Sequence, residues 1–156
     1  NYKNINYQLT IAGNRTGSKN KELISLINKY DLKDKCTLLG EVENVDSVYS
    51  QSHITILPSS HGEAFPNVLV ESMLNYTPCI STDVGDAAHI IPDIESVVPV
   101  RDYKSLANAI VKNLIILKDK NEIYLDNCSK LFNRVNKDYN IDEISKSYIA
   151  LWKGTS

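Results

Sequence analysis

The chain of 156 residues is poor in several features that would each point to a function. No apolar run approaches the roughly 20 residues a membrane-spanning helix needs; the longest, Ile115-Ile116-Leu117 with its neighbours, is far shorter. Near Asn1 there is no charged leader followed by an apolar stretch, so no secretory signal is read there. Basic charge is not in excess: 17 Lys and Arg against 19 Asp and Glu leave a net charge of −2. That balance excludes the cationic surface nucleic-acid binding requires, and no nucleic-acid partner is expected. The 3 cysteines, Cys36, Cys79 and Cys128, are odd in number and lack C-x-x-C spacing. They sit in apolar patterns and read as buried free thiols of a reducing compartment, which makes the Asn-x-Ser/Thr triplets at Asn14, Asn75 and Asn127 chance matches. His53, His61 and His89 are scattered without metal-ligand spacing. His61 has no Ser or Cys partner at a plausible spacing, and reads as a polar loop histidine. Gly13 and Gly17 are the only glycines of the first loop, so the G-x-G-x-x-G of NAD-binding proteins is absent.

What is present is ordinary for a globular domain: 42% hydrophobic and 23% charged residues. The length fits one domain, 1–156, with a substantial core. Strands are expected at Tyr7–Ala12, Thr37–Leu39, His53–Leu57, Pro78–Ser81 and, with Pro99 marking an edge, Val97–Val100. Between them lie amphipathic stretches. Leu23, Ile24, Ile27 and Tyr30 recur at helical spacing, Val45, Val48 and Tyr49 support a short helix, and Ala87–Ile91 is stopped by Pro92. Asp102 caps a helix with Leu106, Ala107, Ile110, Val111, Leu114 and Leu117 on one stripe, and further helices are expected near Glu122–Val135 and Ile141–Trp152. Short apolar strands alternating with amphipathic helices predict an α/β fold, a Rossmann-like parallel sheet with helices on both faces.

The stretch from His61 to Met73 organises the rest. It follows the apolar run Ile54–Leu57, passes through Gly62, and reaches Pro66, a residue favoured at the first position of a helix. Asn67–Leu74 is helix material. A strand, a loop and a helix N-terminus at the carboxyl end of a parallel sheet is where open α/β folds bind ligands. The first amides of the helix, at Asn67, Val68 and Leu69, lack helical partners and sit at the positive end of its dipole, which suits a phosphate. Glu71 lies about 7 Å further along the axis. A carboxylate repels phosphate, so Glu71 and Glu63 are better suited to hydroxyls on either side of it. Either glutamate on its own could equally be a solvated charge near a helix end.

The sequence Glu63-Ala64-Phe65-Pro66-Asn67-Val68-Leu69-Val70-Glu71 resembles the E-x7-E signature of the retaining family 4 glycosyltransferases, which have the two-domain GT-B architecture. Thr77-Pro78-Cys79-Ile80-Ser81-Thr82-Asp83-Val84-Gly85-Asp86 is similar to the same family's G-x-P-V-V-x-T-D-V-G-G segment, and Leu9–Gly13 and Leu38–Gly40 extend the likeness over nearly the whole chain. Two departures are visible: Ala64 stands where the family usually has Gly, and Tyr76 replaces the glycine that usually ends the signature helix, with Asn75 a candidate for the left-handed position.

The resemblance implies a nucleotide-diphosphate-sugar as substrate. It places Glu63 on the catalytic side, near the hydroxyls of the transferred sugar, and Glu71 at the ribose. The backbone of Asn67, Val68 and Leu69 would meet the diphosphate, with Gly62, Phe65 and Pro66 shaping the approach and Gly40, Glu41 and Val42 flanking the base. Arg15, in a loop at a strand end, either meets phosphate or is solvated. No cofactor is implied and no metal, in keeping with the absence of an Asp-x-Asp pair. In the family a strand and helix precede the equivalent of Leu9, within a sheet of order 3-2-1-4-5-6. The expectation is therefore a donor-binding fragment of a longer enzyme, whose N-terminal acceptor domain and first β-α unit lie outside Asn1–Ser156, inactive alone and open to self-association through the vacant sheet position. The implied process is cell-surface polysaccharide synthesis, in the cytoplasm or at the inner face of the membrane. An epimerase of the same architecture and a non-catalytic nucleotide-binding or interaction module remain alternatives.

Overall fold

The structure, a computed structural model, describes residues 5–154. The chain divides into two compact units, residues 1–45 and 46–156. In the first, β1 (Leu9–Ala12) pairs in parallel with β2 (Cys36–Gly40), Leu9 opposite Cys36, with an irregularity between Ile11 and Ala12. Parallel neighbours need a crossover, and α1 (Lys21–Lys29) supplies it. Asn20 caps α1, its side chain accepting from the Leu23 amide at 3.0 Å. Ile27 is buried beneath.

The second unit runs α2 (Asp46–Ser50), β3 (Thr55–Leu57), α3 (Asn67–Leu74), β4 (Cys79–Thr82), α4 (Ala87–Ile90), β5 (Val97–Val98), α5 (Tyr103–Asp119), α6 (Asn121–Asp138) and α7 (Ile141–Lys153). Its sheet is parallel, of order β3-β4-β5. β4 is central and all four of its residues are buried. Successive side chains on a strand point to opposite faces, and each face of β4 has its own core. Cys79 joins Leu69, Met73, Ala87, Ile90, Ile91 and Val135, from α3, the α4 region and α6; Ile80 joins Val98 and Ala109, with Leu106 and Ile110 of α5. This is the Rossmann-like α/β arrangement the alternation predicts. The described strands thus form two separate sheets, β1-β2 in the first unit and β3-β4-β5 in the second.

Several boundaries differ from the sequence reading. β5 stops at Val98 because Pro99 has no N–H to donate, and the Pro99 carbonyl instead accepts from the Asp102 amide at 3.3 Å. Asp102 then caps α5 by accepting from the Lys104 and Ser105 amides, and these bonds with that of the Ser105 hydroxyl hold its carboxyl below the usual range. The C-terminus of α3 also departs from expectation: Asn75 has φ −95°, and Tyr76 itself takes the left-handed conformation at φ 58°. Of the cysteines, Cys79 and Cys128 are buried but Cys36 is only half-buried. Burial pushes the Cys79 thiol up to about 12, leaving it protonated and inert. No helix among the described residues is long and apolar enough to cross a membrane.

Candidate functional site at the N-terminus of α3

The loop from β3 to α3 carries the expected site residues of the second unit. Pro66 is the N-cap, with φ −76° and ψ 90°, one position before the helical one assigned to it from sequence. The extended ψ turns its carbonyl toward the helix, where it accepts from the Leu69 amide at 3.0 Å. This corrects the reading of Leu69, whose amide is already bonded. The free donors are the amides of Asn67 and Val68, for which no partner is found among the described residues. Proline has no side-chain oxygen, so nothing from the cap competes for them.

Each glutamate is held through one oxygen. Glu71 is half-buried, and its Oε2 accepts from the Tyr49 hydroxyl at 3.1 Å. Burial, reinforced by the charge of Glu71, pushes the Tyr49 hydroxyl well above its ordinary range, so it remains a donor at any working pH. Glu63, in the loop, accepts at Oε1 from the Ser59 hydroxyl at 2.9 Å. Ser59 is itself tied down, its carbonyl accepting from the Thr82 hydroxyl of β4. In both glutamates the other oxygen has no described protein partner.

The loop after β4 supports the same segment from below. The Asp86 amide donates to the Ala64 carbonyl at 3.0 Å. At Gly85, with φ 50°, an added Cβ would lie 2.2 Å from the Ala64 oxygen and 2.7 Å from that of Glu63. Only glycine fits so close an approach of backbone to backbone. Phe65 is partly exposed and set edge-on to Tyr139, the C-cap of α6, the centroids 5.5 Å apart. Gly62 has φ 88° and open space around it. His61 lies on an exposed loop, its Nδ1 2.8 Å from the hydroxyl of the adjacent Ser60.

The remaining candidates belong to the first unit, at the carboxyl ends of its strands. The Gly13 amide donates to the Gly40 carbonyl at 2.7 Å, joining the loop after β1 to the last residue of β2. Arg15 is exposed, in the left-handed conformation at φ 60°, with its carbonyl accepting from Asn20 Nδ2 at 2.7 Å. Gly40 has φ 70°; Glu41 beyond it is exposed and Val42 half-buried. Sequence reasoning missed Tyr49, Ser59 and the clamp at Gly85–Asp86. Only the last had a local signal, a lone glycine in the turn that ends β4.

The family described as "Glycosyl transferases group 1" matches residues 1–128. The chain belongs to the group 1 glycosyl transferases. Among its relatives is an exopolysaccharide phosphotransferase of Streptomyces coelicolor, 37% identical over 107 residues, which is 67% of this chain and 11% of that protein. Its fold is similar to a glycosyltransferase from Rickettsia africae, with a TM-score of 0.83 at 18% identity over 96% of this chain and 40% of the other. Anabaena HepE, solved in complex with UDP, gives a TM-score of 0.78 at 15% identity, over 95% of this chain and 41% of that one. The chain thus covers well under half the length of each, and its fold is that of the C-terminal domain of GT-B glycosyltransferases. In this group 1 domain the residues Glu63–Glu71 follow the carboxyl end of β3, the edge where open α/β sheets take ligands.

Proposed function

We propose that the protein is the donor-binding part of a retaining hexosyltransferase, moving a sugar from a nucleotide-diphosphate donor to an acceptor in polysaccharide synthesis. The observation that carries this reading is the pair of free amides at Asn67 and Val68 with Glu63 before them and Glu71 beyond, each carboxylate keeping one oxygen for a ligand. The amides and the positive end of α3 hold the diphosphate and stabilise it as it departs. Glu71 accepts hydrogen bonds from the ribose, and Glu63 from the hydroxyls of the sugar being transferred. No step is assigned to a metal. The UDP complex of HepE and the polysaccharide chemistry named for the Streptomyces relative support the choice of donor and product class.

Calorimetric titration of the full-length protein with UDP, GDP, ADP and their sugars tests the reading. One nucleotide series is expected to bind, and Glu71→Ala to weaken it by about 10- to 100-fold, the worth of a hydrogen bond to a charged group. Unchanged affinity in that variant would remove Glu71 from the site. Binding with sugar inversion but no transfer would make the protein an epimerase, and no binding at all would leave an interaction module.

A further inference from the structure

We propose that Tyr49 is a positioning residue for Glu71, and that its hydroxyl sets how strongly the site prefers ribose over deoxyribose. The inference rests on the donor-site reading above. Tyr49 is on α2, outside the E-x7-E segment, yet its ring is only 7% exposed and its hydroxyl reaches Glu71 Oε2 at 3.1 Å. The helix that carries it is fastened independently. The Thr77 hydroxyl donates to the Tyr49 carbonyl at 2.9 Å, and Asn75 Nδ2 lies 3.0 Å from both Asp46 Oδ1 and the Glu71 carbonyl. With the backbone pinned and the ring buried, the phenol oxygen has one place to be.

That fixed donor has a consequence for the carboxylate. A glutamate side chain has three rotatable bonds and loses entropy when a ligand immobilises it. Tyr49 occupies one of about four lone-pair sites on the carboxylate and fixes its plane before a ligand arrives. Oε1 is then presented, and Oε2 keeps a second lone pair, so a vicinal diol can donate to both oxygens of a group already oriented. A ligand with only one of those hydroxyls gains less from the same preorganisation. A purely structural Tyr49 would affect every nucleotide alike.

The test uses the full-length protein and whichever of UDP, GDP or ADP binds it, with the 2′-deoxy and 3′-deoxy forms of that nucleotide. Wild type is expected to prefer the ribonucleotide. Tyr49→Phe keeps the buried ring and is expected to lower ribonucleotide affinity roughly tenfold while changing the deoxy forms less than about twofold, so that the preference collapses. A preference that survives in Tyr49→Phe, with or without a uniform loss of affinity, overturns the inference and leaves the donor site standing. Absence of nucleotide binding by wild type overturns both. Should Tyr49→Phe not fold, 4-aminophenylalanine at position 49, which keeps a donor at the same place on the ring, must retain the preference; its loss there overturns the inference.

Discussion

Tyr76 closes α3 in a conformation that an L side chain adopts at a cost of about 1–2 kcal/mol. What holds it there is visible one helix away. Its ring stacks on Phe132 of α6, with centroids 4.3 Å apart and planes 8° from parallel, a contact worth about 0.5–1.5 kcal/mol beyond the area it covers. Strain and stacking nearly cancel. Tyr76→Gly is therefore expected to leave stability within about 1 kcal/mol of wild type, whereas Phe132→Ala destabilises. In a double-mutant cycle followed by urea unfolding, the two are expected to couple by about 0.5–1.5 kcal/mol. Coupling below about 0.3 kcal/mol would mean that the stack does not hold the left-handed turn. A sequence shows that the usual glycine is absent here, but the partner that makes a tyrosine tolerable comes from 56 positions further on, which no local pattern carries.

Among the elements, α3 was the most legible and its surroundings the least. Its bounds, Asn67–Leu74, are those its composition suggests, because a proline before it and a turn after it punctuate the chain. The error of one position at Pro66 arose because φ is fixed in proline but ψ is not, and ψ decides whether the residue opens the helix or caps it. The β4 loop was read only by likeness; its role depends on where two backbones meet in space. That role yields a clear expectation. Gly85→Ala combines a left-handed backbone, costing about 1–2 kcal/mol, with overlap against the Ala64 and Glu63 carbonyls, costing about 1–3 kcal/mol more. Gly62→Ala carries the backbone term alone, since nothing lies within 4 Å of its added Cβ. Urea unfolding should thus rank Gly85→Ala as the more damaging by about 1–3 kcal/mol. Only the Gly85 variant should also lose its Asp86 to Ala64 hydrogen bond, seen as faster exchange of the Asp86 amide. Equal losses in the two variants would contradict the clamp.

For the molecule as a whole, the alternation of strands and helices predicted the fold class, while the division after Val45 left no trace in composition. Residues 41–46, Glu-Val-Glu-Asn-Val-Asp, contain neither glycine nor proline to mark a boundary. The two units differ greatly in what they bury. Among the described residues up to Val45, Ile27 is the one buried side chain, and Leu26, Tyr30 and Leu39 stand exposed in a unit of two strands, one α-helix and a short 3-10 turn. Such a unit, close to the size of about 40 residues below which chains usually need disulfides, metals or a partner, is at best marginal. Residues 46–156 contain both core clusters, on the two faces of β4, together with the E-x7-E segment and the hydroxyls of Tyr49 and Ser59 that hold its glutamates. Expressed separately, 46–156 is expected to unfold in one cooperative urea transition, and 1–45 to show the circular dichroism of a coil. A non-cooperative transition in the longer piece, or native-like helix and sheet in the shorter, would mean that the cores named here are not what stabilises the chain.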